Sequence, residues 1–366
     1  GILNSEKIIF GLSNLHFRFA HVSIIQYFSA FLNNVIFNIQ GIVFASALIA
    51  SAVIINFLTY LIDYLKNKDF NFHFFFLFFV TIFIAYKMNR YGEYGNDAPA
   101  HFLFFFLISE IIKLIENKES HFKKNNFILS IFITLNKITM GFAIFIPLIF
   151  LNKKKLFSFF KISKNIFALF FLSLWVVKNL IVSGCLIYPI SNLCIQKFEW
   201  TNYDQVKIVS QENEAWSKAW PSFKNKDNFS HQEYSKNFNW VDTWLQTHLE
   251  KFTKIFLPYI VLLCLLSFIL YFKFKSKKIS ENQHKKKYMF MIFTMILFII
   301  IWFLKIPDYR YGYSYLVSLI ALIFAYICST NNYINKNAKS FLFSFLIIFI
   351  IVFIIKNSIR IINPKD

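Results

Sequence analysis

Residues 41–62 read GIVFASALIASAVIINFLTYLI, a run of 22 residues that contains no charged side chain. The hydrocarbon core of a bilayer is about 30 Å thick, and a helix needs roughly 20 apolar residues to cross it. This run is therefore long enough and apolar enough to predict a transmembrane helix. Runs of the same kind recur along the chain, so the pattern predicts the fold class of the whole protein.

The composition of the 366 residues agrees with a membrane protein. Hydrophobic residues make up 57% of the chain, charged residues make up only 16%, and Phe alone occupies 51 positions. Charged residues usually approach a quarter of a soluble sequence. These proportions exclude a soluble enzyme, a disordered chain and a secreted disulfide scaffold.

Further apolar runs predict the remaining membrane helices. They cover residues 71–87, 98–115, 165–182, 252–272, 287–304, 314–330 and 340–357. The apolar stretch 126–151 is interrupted by Asn136 and Lys137, which favours two short helices or a hairpin over one straight span. Residues 19–37 carry polar side chains and predict an interfacial or partly buried helix. We expect an all-α polytopic bundle of about 8–10 membrane helices, forming one transmembrane domain over residues 1–366.

The formal net charge of +20 is distributed unevenly. The short loops 88–97 and 305–313 contain only three basic residues, Arg90, Lys305 and Arg310. The alternate loops hold nineteen lysines, namely Lys66, Lys68, Lys118, Lys123, Lys124, Lys153, Lys154, Lys155, Lys161, Lys164, Lys273, Lys275, Lys277, Lys278, Lys285, Lys286, Lys287, Lys336 and Lys339. Cytoplasmic loops carry such an excess, so the lysine side is predicted to be cytoplasmic. We do not expect a nucleic-acid partner, since no binding motif accompanies the charge.

Residues 183–251 form the longest polar segment, and they lie on the predicted non-cytoplasmic side. They carry eight of the 19 carboxylates and five of the seven tryptophans, which predicts a small loop subdomain. Within it, Trp216 and Trp220 are spaced i,i+4, as are Trp240 and Trp244. Each pair would form one stripe of a helix. Anchoring at the membrane interface is the favoured explanation, and stacking on sugar faces is the alternative.

Cysteine spacing gives little evidence of chemistry. Cys185 and Cys194 are candidates for a disulfide, which can form if this segment faces an oxidising compartment. No CxxC or Cys/His spacing indicates a metal site, and we expect no cofactor.

The first candidate site opens the helix after the 88–97 loop. Asp97 precedes Pro99, a favoured early-helix residue, and His101 follows four positions later, on the same face if the helix begins at Asp97. A carboxylate at the membrane edge is costly unless it is used, so Asp97 is the candidate catalytic residue. Tyr91 and His101 are candidate substrate-binding residues. Alternatively, Asn96 or Asp97 only caps the helix.

Two basic motifs provide further candidates for substrate binding. Arg310 offers a planar fork for phosphate or carboxylate, with Asp308 available to hold it; an interfacial turn with aromatic residues is the alternative. His16 and Arg18, together with His21, either line a polar cavity or bind an anionic head group. A solvated amphipathic helix would explain these three equally simply.

These motifs resemble those of an uncharacterised multi-spanning membrane-protein family of bacterial surface-polysaccharide gene clusters. Residues 11–18, GLSNLHFR, are similar to its GLxNLHxR stretch. Residues 175–189, WVVKNLIVSGCLIYP, are similar to its W-x-x-R-N-x-x-x-S-G-x-x-x-Y-P, with Lys178 in place of Arg. Residues 307–310, PDYR, resemble its P-D-x-R element. Apart from this resemblance, Lys178 is expected to extend its ammonium group to the membrane interface.

That family in turn resembles the GT-C glycosyltransferases. This resemblance implies a multi-pass protein of the bacterial inner membrane, with residues 183–251 on the periplasmic or outer side. It implies inverting transfer of a sugar from a polyprenyl-phosphate donor to a lipid-linked glycan acceptor. Asp97 would contact substrate, and Arg310 or Arg18 would meet the phosphate. It also implies either a first helix and an acid-bearing loop upstream of Gly1, or a catalytic base elsewhere in the chain.

Two other function classes stay open from the sequence. One is a transporter or flippase of a lipid-linked glycan, although the chain shows no internal repeat and no matching pair of broken helices. The other is a non-catalytic membrane assembly partner.

Overall fold

The structure is a computed structural model, and it describes residues 8–21, 23–34, 36–38, 41–88, 97–116, 125–150, 162–274, 284–330, 334–335 and 337–363. Within these ranges the chain is built of helices and contains no β-strand. A single isolated bridge joins Cys185 to Cys194. The predicted all-α fold class is confirmed.

The helices of the described ranges are numbered here in chain order. The α-helices are α1 (Ile24–Leu32), α2 (Gly41–Asn67), α3 (Phe72–Lys87), α4 (Asp97–Ile115), α5 (Asn126–Asn136), α6 (Phe145–Ile149), α7 (Ser163–Ser183), α8 (Tyr203–Ser217), α9 (His231–Ser235), α10 (Val241–Phe274), α11 (Lys285–Lys305), α12 (Tyr309–Thr330) and α13 (Ala338–Ile362). The 3-10 helices are Leu12–Asn14, Phe17–His21, Ile138–Ile144, Ser191–Leu193, Trp220–Ser222 and Lys226–Asn228.

Seven helices of the described chain are long and apolar enough to cross a membrane, namely α2, α4, α7, α10, α11, α12 and α13. They coincide with seven of the eight apolar runs. The eighth run forms α3, which has only 16 residues and is buried from Phe72 to Ala85. The interrupted stretch forms α5, a 3-10 helix and α6, so the predicted break is confirmed.

The chain divides into two compact units. The first unit contains Gly1–Ala45, Lys124–Lys251 and Trp302–Tyr311, and the second contains Ser46–Lys123, Phe252–Ile301 and Gly312–Asp366. The predicted loop subdomain, residues 183–251, lies inside the first unit. That the whole chain acts as one transmembrane domain stays a prediction.

The second unit has a phenylalanine core. Phe74, Phe75, Phe78 and Phe79 on α3 have no exposed surface. Phe72 stacks on the ring of Tyr288 with the ring centroids 3.8 Å apart. Aromatic side chains of this size bury a large apolar area at each position, which explains how so short a helix is held inside the unit.

Two of the five tryptophans of residues 183–251 lie in a core rather than in a membrane belt. Trp240 and Trp244 are 1% and 6% exposed and pack in one cluster with Ala215, Tyr234 and Trp220. The first tryptophan pair does not share a helix stripe, because α8 ends at Ser217 and the following backbone turns into a 3-10 helix. For Trp240 and Trp244, neither interfacial anchoring nor sugar stacking is correct: a small subdomain uses these large apolar side chains to build its interior.

Candidate functional site

Two sequence motifs pack together in the first unit. The backbone N–H of Gly11 donates to the carbonyl of Ile181 near the end of α7, at 3.0 Å. The Asn14 side chain donates to the carbonyl of Trp200, whose indole N–H donates to Leu180. Residues 11–21 and residues 175–189 are together called the motif cluster below.

Glycines allow this close approach. Gly184 ends α7 in the left-handed conformation, with φ of 74°, a common helix ending. A Cβ atom there would lie 1.7 Å from the Thr201 hydroxyl oxygen. Gly11 also has positive φ, 69°, and a Cβ atom there would lie 3.0 Å from the Cβ of Trp200. The two glycines therefore have steric reasons to occupy these positions.

Polar side chains then shape the turn after α7. Asn179 is buried and donates to the carbonyl of Leu186, and Ser183 donates back to the Asn179 carbonyl. A disulfide joins Cys185 to Cys194. The 175–189 motif therefore encodes a helix ending and a tied turn.

Lys178 is the unusual member of the motif cluster. Its Nζ atom is buried and has no hydrogen-bond partner in the described part of the chain. The ammonium group lies 5.2 Å from the centroid of the Trp175 ring. The expected extension of Lys178 to the membrane interface is therefore wrong, because the surrounding protein encloses the ammonium group.

Lys178 acts electrostatically on His21, and His21 in turn contacts Tyr188. The rings of His21 and Tyr188 are in edge contact, with centroids 5.2 Å apart. Partial burial, helped by the positive charge of Lys178, lowers the pKa of His21 to about 4. Burial raises the pKa of Tyr188 to about 12. At neutral pH the His21 and Tyr188 side chains are therefore both neutral, and neither supplies a counter-charge to Lys178.

His16 and Arg18 form the outer edge of the motif cluster. Both are exposed, and both lie against Phe17: the His16 ring stacks on it at 4.7 Å, and the Arg18 guanidinium carbon lies 5.7 Å from its centroid. The backbone N–H of Arg18 donates to Nδ1 of His16. The cluster therefore presents one buried and one exposed fixed positive charge, which favours an anionic ligand.

Asp308 and Arg310 also belong to the first unit. A carboxylate oxygen of Asp308 accepts the backbone N–H of Arg310 at 2.9 Å. Asp308 therefore caps the start of α12, an interaction that stabilises a helix end. The Arg310 guanidinium carbon lies 5.9 Å from the centroid of the Tyr311 ring.

Asp97 and His101 belong to the second unit. Helix α4 begins at Asp97, as predicted. His101 is buried, its Nδ1 atom is hydrogen-bonded to the Ser314 hydroxyl, and its ring meets Tyr313 edge-on at 5.8 Å. Tyr91, the remaining predicted substrate-binding residue, lies outside the described residues.

A second buried charge was missed by the sequence analysis. Glu110 and Lys113 on α4 form an ion pair and are 0% and 5% exposed. Lys113 also donates to the Tyr60 hydroxyl at 2.8 Å. A signal was available, since a Glu and a Lys spaced i,i+3 inside an apolar run should pair. No group of three His, Cys, Asp or Glu side chains within the described ranges could hold a metal ion.

A family model described as a domain of unknown function, DUF8201, matches residues 2–317, which include the motif cluster and Asp308–Arg310. The curated proteins and the solved structures contain no match to this chain. Since the family model covers well over half of the chain, this protein belongs to the DUF8201 family.

Proposed function

We propose that the chain is a sugar transferase of the bacterial inner membrane that acts in surface-polysaccharide assembly. It would take its sugar from a polyprenyl-phosphate donor and pass it to a lipid-linked glycan acceptor. The observation that carries the proposal is the buried ammonium group of Lys178. A buried charge is costly without a counter-charge, and a phosphate group would supply one.

The remaining features support a reaction on the non-cytoplasmic side. The Cys185–Cys194 disulfide is typical of a segment exposed to an oxidising compartment. The lysine-rich loops are predicted to lie on the cytoplasmic side of the membrane, and residues 183–251 are predicted to lie on the other side. Donor and acceptor of this kind would meet at the outer surface of the membrane.

In the proposed reaction the acceptor hydroxyl oxygen attacks the anomeric carbon of the donor sugar. The bond from that carbon to the phosphate oxygen breaks, and the phosphate leaves with the electron pair. Lys178 and Arg18 would stabilise the negative charge on the leaving phosphate. A base accepts the proton of the acceptor hydroxyl. Asp97 is proposed for a catalytic role from the sequence alone.

The test is sugar transfer by the purified full-length protein in nanodiscs. The donor is a polyprenyl phosphate that carries a radiolabelled sugar, and the label that appears in a lipid-linked glycan is counted. We expect Lys178→Met and Asp97→Asn to lower turnover about tenfold or more. The exposed Lys207 of α8 provides a matched control, and Lys207→Met should retain the wild-type rate. Wild-type turnover in both site variants would refute the proposal.

One observation favours a second candidate, a transporter of a lipid-linked glycan. Ionisable residues inside membrane helices often mark the path of a substrate or an ion, and Glu110 and Lys113 are such a pair. Movement of a glycolipid across liposome membranes without any sugar donor, lost in Glu110→Gln, would favour transport. No movement, together with donor-dependent transfer, would favour the transferase.

A further inference from the structure

Trp175 carries a buried hydrogen-bond donor without a partner, three residues before Lys178 on α7. The indole nitrogen Nε1 of Trp175 is buried and makes no hydrogen bond in the described part of the chain, and the same holds for Nζ of Lys178. The i,i+3 spacing puts the two side chains on one face of the helix. Nζ lies 5.2 Å from the centroid of the Trp175 ring. Two unsatisfied donors therefore lie side by side.

The surroundings of Trp175 are apolar. Its side chain packs against a hydrophobic cluster of α5 and α7 that contains Phe127, Ile131, Leu135 and Ala168. Most buried polar groups in folded proteins have a hydrogen-bond partner, and a buried donor without one is costly. A ligand that accepts hydrogen bonds would remove this cost for both donors at once.

The buried part of the motif cluster has one formal positive charge. The cluster contains two charged residues, Arg18 and Lys178. Arg18 is exposed, and solvent ions screen an exposed charge. His21 and Tyr188 are neutral at neutral pH. The charge of the Lys178 ammonium group is therefore the one that a ligand held beside Trp175 would balance.

The chemistry of the two donors limits the kind of group that they can bind. The Trp175 indole donates a hydrogen bond and cannot accept one, and the Lys178 ammonium group also only donates. The bound group must therefore supply acceptor oxygens and a single negative charge. A phosphodiester has both, whereas a phosphomonoester carries about 1.5 to 2 negative charges at neutral pH.

We propose that Trp175 and Lys178 together hold a singly charged lipid phosphodiester, with the Trp175 indole N–H donating to one free oxygen and the Lys178 ammonium group to the other. Resting on the proposed function, this phosphodiester joins the donor sugar to the polyprenyl chain. Trp175 is then a residue that determines specificity. The pair should bind the sugar donor more tightly than the product, because the polyprenyl monophosphate that leaves carries more negative charge.

The test follows tryptophan indole N–H signals by NMR in the full chain, purified with isotope-labelled tryptophan in a maltoside detergent that contains no phosphate. The probe is a polyprenyl phosphate that carries a sugar. A hydrogen bond to a charged oxygen should move the Trp175 proton signal downfield. The signal of Trp244 should stay in place, because its N–H already donates to the Pro307 carbonyl. No shift of the Trp175 signal at saturating probe would overturn the proposal.

Trp175→Phe separates the hydrogen bond from the aromatic ring. The variant keeps a ring beside Lys178, removes the indole N–H, and identifies the Trp175 signal by its absence. The Kd for the same probe should rise about tenfold or more. Trp216→Phe is the matched control, since Trp216 is exposed, and it should bind like the wild-type protein. An unchanged Kd in Trp175→Phe would refute the role of the N–H. If this variant does not fold, the wild-type titration still decides, because no shift in any of the seven tryptophan signals refutes the site.

Two further probes identify the source of the phosphodiester. Phosphatidylglycerol is a singly charged phosphodiester of ordinary membranes, and polyprenyl monophosphate is the proposed product. We expect both to bind more weakly than the sugar-bearing lipid. Equal or tighter binding of phosphatidylglycerol would assign the site to a membrane phospholipid and remove the sugar donor as its ligand. Tighter binding of polyprenyl monophosphate would overturn the match of charges.

The site and the proposed function can fail separately. A shifted Trp175 signal and a raised Kd in Trp175→Phe, without any sugar transfer by the wild-type protein, would remove the transferase and keep the phosphodiester site. Sugar transfer at the wild-type rate by Trp175→Phe, with an unchanged Kd, would remove the role of Trp175 and keep the transferase.

Discussion

The indole N–H of Trp200 donates a hydrogen bond to the carbonyl oxygen of Leu180 at 2.9 Å, on the last turn of α7. The last carbonyl groups of a helix have no partner within the helix. Trp200 supplies one from outside, and the backbone N–H of Gly184 bonds the same oxygen. This relationship links the loop after α7 to the helix that carries Lys178, so the geometry of the candidate site depends on the fold of that loop.

Replacement of Gly184 should therefore damage the fold. In Gly184→Ala the left-handed backbone alone costs about 1–2 kcal/mol, and the new Cβ atom collides with Thr201. We expect a clearly lower thermal unfolding temperature of the purified protein in detergent. Gly141→Ala is the matched control, because its Cβ atom would meet only the Thr134 methyl carbon at 4.0 Å. Equal unfolding temperatures in the two variants would contradict this account.

The lowered pKa of His21 predicts a pH dependence of stability. The pKa of His21 is about 4 in the folded protein and 6.5 ordinarily. As pH falls from about 6.5 to about 4, the unfolded chain binds a proton that the folded protein does not. Stability should thus decrease across this window, and His21→Gln should remove that part of the decrease.

The same titration tests the role of Lys178. Its charge contributes to the lowered pKa of His21, so Lys178→Met should raise that pKa. The pH range over which stability decreases should then end at a higher pH than in the wild-type protein. Thermal unfolding measured from pH 7 to pH 4 gives the pH dependence of stability for both His21→Gln and Lys178→Met. A pH profile of Lys178→Met that superimposes on the wild-type profile would show that the two side chains do not interact.

The disulfide should stabilise the first unit. Cys185 is fully buried beside Tyr188 in a hydrophobic cluster. Loss of the bridge in Cys194→Ser should lower the free energy of unfolding by about 2–3 kcal/mol. Cys264 is a free, exposed cysteine, and Cys264→Ser should have no such effect. Chemical unfolding of both variants provides the comparison, and equal midpoints would argue against a stabilising bridge.

Removing one partner of the buried ion pair should destabilise the second unit. Lys113→Met leaves the Glu110 carboxylate buried without its counter-charge, which should cost about 3–5 kcal/mol. The double variant Glu110→Gln with Lys113→Met should be more stable than Lys113→Met alone. Lys66→Met, at an exposed position of α2, is the control. Additive effects of the two single substitutions in unfolding experiments would show that the pair is not coupled.

Tryptophan substitutions distinguish a core from a binding surface. Trp240 is buried, and Trp240→Ala should lower the free energy of unfolding by about 3–5 kcal/mol. Trp216 is 63% exposed, and Trp216→Ala should change stability little. Chemical unfolding followed by tryptophan fluorescence measures both. A larger loss for Trp216 than for Trp240 would contradict the packing described above.

The membrane helices were predictable from the sequence because their signal is local. A run such as 41–62 must form a helix in a bilayer, since every backbone polar group there needs a partner within its own segment. The break at Asn136–Lys137 and the start of α4 at Asp97 were visible for the same reason. Polar residues that interrupt apolar runs, and caps at helix ends, act over only a few positions.

Tertiary structure alone decided where the charges and large rings lie. Lys178 was expected at the membrane interface, and its ammonium group is buried because residues 11–21 pack over the end of α7. Lys137 looked like a simple interruption, and it meets Tyr311 only because α5 lies beside the start of α12. The sequence by itself determined which segments become helices. Which side chains face each other depends on packing between residues more than a hundred positions apart, and helical periodicity carries no information about such pairs.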